Sequence, residues 1–158
     1  MAKDAKKVID LLNVGRASEL TAILQYMAHH YELDDQDFGK LAKVMKATAI
    51  VEMKHAEALA ERILFLGGTP TSKPDGQAKK GQKIAEMLAT DIGLEAGAVT
   101  MYNASAVACA AAGDQVSKDL FEKLLGDEEG HLDAFQNLAD HVAQLGDAYL
   151  ATLTGPGE

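Results

Sequence analysis

Two copies of the pattern Glu-x-x-His, Glu52-Met53-Lys54-His55 and Glu128-Glu129-Gly130-His131, stand 76 residues apart. A further glutamate precedes each copy by 33 residues, Glu19 before Glu52 and Glu95 before Glu128. The same offset carries Tyr26 onto Tyr102 and aligns Glu52-Met53-Lys54-His55-Ala56-Glu57-Ala58 with Glu128-Glu129-Gly130-His131-Leu132-Asp133-Ala134. This spacing describes a duplicated helical hairpin, whose halves fold about a pseudo-two-fold axis. Within each motif, a separation of three places Glu and His on one helix face, where both can grip one cation.

Apolar periodicity supplies the helices. Val8, Leu11, Leu12, Leu20, Ile23, Leu24 and Met27 recur at three-and-four spacing and predict a first helix over 4–32. Leu33-Asp34-Asp35-Gln36-Asp37 reads as a polar turn with good N-cap residues. A second helix is predicted over 36–66, stopped by Gly67-Gly68 and Pro70; a third over 82–111, ended by Ala112-Gly113-Asp114; a fourth over 115–145, ended by Gly146. Each would be roughly 40 Å long. Residues 67–81, rich in glycine and proline, are too long for a tight turn. Short, long and short connections give an all-α, ferritin-like four-helix bundle with one long crossover, in one domain over 1–158.

Composition narrows the partners. A net charge of −9 disfavours nucleic acid and anionic membranes and suits a protein that attracts cations. No apolar run is long enough to span a bilayer, and Met1–Lys7 leads into an amphipathic pattern rather than the apolar centre of a signal peptide. The lone Cys109 builds neither an internal disulfide nor a cysteine metal cluster; it reads as a small buried hydrophobe, and a cytoplasmic location is expected.

One Glu-x-x-His in an acidic helical chain would mean little. Two of them, with a glutamate from each remaining helix, match the ligand pattern of di-iron carboxylate bundles. The expected ligands are Glu19, Glu52, His55, Glu95, Glu128 and His131. Four carboxylates neutralise two divalent ions, and two neutral imidazoles complete a shell suited to iron or manganese. Without metal the carboxylates would repel one another, and some would take up protons. Glu129 lies about 100° round the helix from Glu128 and is expected on another face. Tyr26, two turns beyond Glu19, is the tyrosine favoured to approach the metals; for it and Tyr102 the bland alternative is a core tyrosine with its hydroxyl satisfied. His29, His30 and His141 are expected in solvent-facing or helix-end roles, and Asp34, Asp35 and Asp37 as turn and cap residues.

These residues resemble the bacterioferritin family across nearly the whole chain. Glu52-Met53-Lys54-His55-Ala56-Glu57 continues into Glu61-Arg62-Ile63-Leu64-Phe65-Leu66-Gly67-Gly68; Asp127-Glu128-Glu129-Gly130-His131-Leu132-Asp133 and Leu145-Gly146-Asp147-Ala148-Tyr149-Leu150 complete the match. The resemblance implies a 24-subunit homo-oligomeric shell for iron storage and detoxification. Its ferroxidase centre would oxidise Fe(II) with O₂ or H₂O₂ and deposit Fe(III) mineral inside. Glu52 and Glu128 would bridge the two irons, Glu19 and Glu95 would be terminal, and Tyr26 would be the nearby catalytic tyrosine. A short fifth helix from Asp147 would pack at a symmetry axis.

The resemblance further implies haem, shared between two subunits, with Met53 as axial ligand and a ferredoxin-type protein as electron donor. Met53 adjoins Glu52 and so points away from the di-iron core; thioether suits low-spin haem iron. Some family members carry an inner-surface iron site, whose histidine and aspartate correspond here to Ala47 and Val51, which cannot bind iron. The centre itself would then be the route into the cavity. A haem-free di-iron or manganese oxidase or peroxidase is the rival reading. Rubrerythrin-like peroxidases add a four-cysteine iron domain that Cys109 alone cannot build.

Overall fold

The computed structural model describes residues 4–158. Four long helices, α1 (Ala5–Asp35), α2 (Gly39–Phe65), α3 (Ile84–Ala111) and α4 (Gln115–Leu145), are followed by a short α5 (Asp147–Ala151). Helix α1 packs along α2 and α3 along α4, so each half is a hairpin, and α1 also meets α3 across the bundle. This is the ferritin-like bundle with one long crossover that the connection lengths predict, ending in the short C-terminal helix that the resemblance implies.

The helix starts differ in how they are secured. Asp4 and Asp114 cap α1 and α4, accepting from the backbone N–H groups of Lys7 at 3.3 Å and Ser117 at 2.9 Å. The α2 start departs from expectation. Asp34 and Asp35 stay helical, the turn is confined to residues 36–38, and Phe38 at the N-cap position has no side-chain cap. Asp37 takes a left-handed φ of 64° to close that turn. The Lys40 N–H is instead satisfied from outside, by the Leu153 carbonyl at 3.3 Å, because the C-terminal tail folds back over this end.

The crossover, residues 66–83, runs along α1 and is held by a stripe of polar side chains at roughly one-turn intervals. Asn13 donates to the Thr69 carbonyl and Arg16 to that of Thr71; Thr21 bonds Asp75, Gln25 bonds both backbone groups of Lys79, and Glu32 accepts from the Gly81 N–H. A segment without regular structure thereby finds partners for its backbone groups.

The apolar interior is divided in two. One cluster contains Val8, Leu12, Leu59, Ile63, Tyr102 and Phe121; the other contains Tyr26, Leu33, Leu41, Met45, Met87 and Phe135. Each of these larger side chains contributes about 1.5–3 kcal/mol on burial. The belt between the clusters is filled by acid. Among the described residues no helix is long and apolar enough to cross a membrane.

Candidate metal centre

Glu19 on α1, Glu52 and His55 on α2, Glu95 on α3, and Glu128 and His131 on α4 converge in that belt. Glu19, Glu52, His55 and Glu128 offer ligand atoms within 4.8 Å of one another; so do Glu52, Glu95, Glu128 and His131. Glu52 and Glu128 belong to both groups, which is the geometry of bridging carboxylates. The four glutamates are no more than 2% exposed. Glu129, one position off the duplicated register, is exposed, as its place on the helix predicts.

The contacts inside the centre are close without being hydrogen bonds. His55 Nδ1 lies 3.0 Å from Glu128 Oε1, and His131 Nδ1 lies 2.8 Å from Glu52 Oε1. Yet both nitrogens are buried without a hydrogen-bond partner, as are Glu19 Oε2, both Glu52 oxygens, Glu95 Oε2 and Glu128 Oε1. Lone pairs aimed at a common point rather than at each other fit a cation, since each orphaned buried polar atom would otherwise cost about 1–3 kcal/mol.

Proton affinities reflect the same crowding. Burial pushes the Glu52 carboxyl far above the usual carboxylate range, helped by the neighbouring charges of Glu19 and Glu128. Glu95 rises to about 8, again mainly through burial. Burial opposes a charged imidazole, but the carboxylates outweigh it and raise His55 to about 11 and His131 to about 10. Burial would also raise Glu128, yet the two imidazoles hold it well below the usual range. Metal-free, the centre therefore keeps protons that entering cations would displace.

The tyrosines are not arranged as their helix positions suggest. Tyr26 donates to Glu95 Oε1, on the opposite hairpin, at 2.5 Å, and Tyr102 donates to Glu19 Oε1. The offset of 76 maps one bond onto the other. Both rings are fully buried, Tyr26 against Phe135 and Tyr102 against Phe121. Gly15 gives Tyr102 its room, because a Cβ there would come within 3.1 Å of the ring.

Two partners escaped the sequence reading. His55 Nε2 is 2.8 Å from Asp127 Oδ2, an outer carboxylate that fixes which ring nitrogen faces the centre. The position equivalent to Asp127 in the other half is Val51, so His131 has no such partner among the described residues. His29, expected near solvent, is fully buried and paired with the equally buried Asp91. Asp91 stands one turn before Glu95 on α3, and an acid at that spacing from a ligand was the available signal. His30 is half-buried with Nδ1 2.7 Å from the Ala42 carbonyl, and His141 is exposed beside Tyr149. Cys109 is buried as expected, and burial raises its thiol to about 11.

On the outer face of α1 and α2, Met53 is 54% exposed at an open groove of about 580 Å³. Leu20, Ile23, Ile50, Ala56 and Ala60 give the groove its apolar lining.

Residues 9–145 match the Ferritin-like domain family. The bacterioferritin of Desulfovibrio desulfuricans is 44% identical over 149 residues, covering 94% of this chain and 83% of that protein. The Brucella melitensis bacterioferritin is 39% identical, covering 92% and 90%. The X-ray structure of the D. desulfuricans protein, described with its di-iron site in different catalytic states, superposes with a TM-score of 0.95 at 43% identity over 98% of this chain and 91% of that one. That of Rhodobacter capsulatus bacterioferritin, with a metal-free dinuclear site and haem iron on a crystallographic special position, gives 0.91 at 39% identity over 98% and 96%. The bundle, the duplicated acidic belt and these likenesses agree: the chain belongs to the bacterioferritin family.

Proposed function

We propose that this chain is the subunit of an iron-storing ferroxidase, taking Fe(II) as substrate at the six-residue centre and depositing Fe(III) mineral within a 24-subunit cage. The observation that carries the reading is the set of buried, orphaned lone pairs on Glu19, Glu52, His55, Glu95, Glu128 and His131. Two Fe(II) ions held together there supply two electrons to O₂ or H₂O₂. The protein's part is electrostatic and geometric. Four carboxylates balance two divalent charges, Glu52 and Glu128 hold the pair together, and Glu19 with His55 and Glu95 with His131 close the two ends. Tyr26 and Tyr102 orient the terminal carboxylates by donating to them. Tyr26 is thus assigned a catalytic place beside Glu95.

Met53 is proposed as a haem ligand. An exposed thioether on an apolar, open groove fits half of a site that a second copy of the chain would complete, as a haem shared between two subunits. The haem would supply electrons for mineral release, drawn from a ferredoxin-type donor, in the cytoplasm. Ala47 and Val51 carry no ligand atoms, so iron would reach the cavity through the centre itself.

Anaerobic Fe(II) titration is expected to saturate near two ions per chain, and Glu128→Ala to abolish fast oxidation; a wild-type rate in that variant overturns the assignment. A sharp haem absorption lost in Met53→Leu supports the shared haem. A native assembly that purifies without haem, or with manganese in the centre, favours the haem-free oxidase instead.

A further inference from the structure

We propose that residues 152–158 are a latch on the start of α2. Seated, the latch supplies the backbone partners that α2 lacks and fixes α5 in place. Released, it frees the first turn of α2 and α5 together.

The first N–H groups of a helix have no partner within it. Asp4 and Asp114 answer this need for α1 and α4, but Phe38, at the N-cap position of α2, offers no side-chain acceptor. At α2 the bond comes from beyond α5. The Leu153 carbonyl accepts from the Lys40 N–H at 3.3 Å, and the Gly155 N–H donates to the Asp37 carbonyl at 2.9 Å. Lys43, one turn into α2, extends Nζ to the backbone oxygen of Glu158.

The seat is shaped for glycine. Gly155 has a φ of 85°, in the left-handed region. A Cβ on Gly39 would run into the Gly155 carbonyl oxygen, and one on Gly157 into the Gly39 carbonyl. Backbone stands in the way on both sides, so no change of rotamer relieves either collision. Leu153, Gly155 and Gly157 are half-buried, while Thr154, Pro156 and Glu158 between them are exposed. Leu153 rests on the apolar cluster of Leu33, Leu41 and Phe135. Pro156 has no N–H to satisfy and loses nothing by facing outward.

The same contacts decide where α5 lies. A helix of five residues is too short to hold itself, and none of its side chains is buried. Tyr149 leans on His141 of α4, which is itself exposed. The chain enters α5 through Gly146, whose φ is 58°, and leaves it through the bonded residues Leu153 and Gly155. With its exit unfastened, α5 would keep only the Gly146 turn and the ring contact.

The latch is held by little. Beyond Leu153 it packs no apolar side chain into the core, and its ties are backbone bonds near the surface. Segments of that kind open locally, without unfolding of the core. Each tie joins the tail to the turn before α2 or to its first turns, so neither side is lost alone. Unseating leaves the Lys40 and Gly155 N–H groups without these partners together.

Hydrogen exchange of the native protein, read by mass spectrometry, tests this with Gly39→Ala, Gly157→Ala and their combination. Alanine is the better helix former, so without a latch Gly39→Ala would slow exchange at the start of α2. With the latch, exchange should quicken about tenfold both at residues 39–42 and at 149–155. Gly157→Ala leaves every residue of α2 unchanged, yet should quicken the same two segments; it keeps the test open if Gly39→Ala does not fold. The double variant should exchange no faster than either single one, because one seat is lost only once. Exchange that stays slow at residues 39–42 in Gly157→Ala, or that quickens equally along α1 and α3, overturns the latch.

Discussion

The hydroxyl of Tyr26 donates to Glu95 across the bundle, at 2.5 Å, although Tyr26 shares its helix face with Glu19. Its duplicate, Tyr102, makes the reciprocal bond to Glu19. Each terminal carboxylate is thus oriented by a tyrosine from the other hairpin, and the two hairpins are locked together at the centre.

Removing either hydroxyl should weaken one metal position and spare the other. A hydrogen bond to a charged group contributes about 1.5–3 kcal/mol, and loss of such a partner typically costs about 10–100-fold in metal affinity. Tyr26→Phe is expected to weaken the Glu95–His131 end and Tyr102→Phe the Glu19–His55 end. Stepwise Co(II) titration of both variants checks this; equal weakening of both ends by one substitution would contradict it.

Asp127 should matter for one histidine only. Asp127→Asn removes the ionised partner of His55 Nε2 and is expected to weaken metal binding about tenfold or more at that end. Val51→Asp places a carboxylate at the equivalent position for His131 and is expected to tighten the other end. Calorimetric titration with Zn(II) measures both effects.

Cations should stabilise the fold. The orphaned atoms of the centre gain partners only when metal binds, so a site at a hundred times its Kd contributes about 2.7 kcal/mol. Addition of Zn(II) should raise Tm in the wild type and much less in Glu52→Gln, which loses a ligand shared by both ends. An equal rise in both would place the bound metal elsewhere.

Asp114 ties the two hairpins at the end remote from Tyr26. It caps α4 and accepts from Arg62 Nη2 at 2.8 Å. Burial opposes its charge, but the Ser117 and Arg62 bonds outweigh this and lower its pKa below the ordinary 3.8. A depressed carboxylate contributes stability above its unfolded value and loses it as pH falls through the folded one. Asp114→Ala should therefore cost at least about 1 kcal/mol near neutral pH. The difference from wild type should shrink as the pH drops below 3.8. Urea midpoints at both pH values test the sign.

Much of this was legible in the residues. The 33- and 76-residue spacings identified the paired hairpins and the six converging side chains, because helical period and ligand chemistry both act locally along the chain. Proline and glycine at 67–81 marked the crossover for the same reason. Periodicity, however, tells only which residues share a face of one helix. The rotation and axial register between helices follow from packing of the two apolar clusters, and these decided the rest. They set Tyr26 against Glu95 rather than Glu19, brought Asp127 to His55, and laid the C-terminal tail on the uncapped start of α2. They also buried His29 with Asp91, where a count along α1 sees only a polar residue near a helix end.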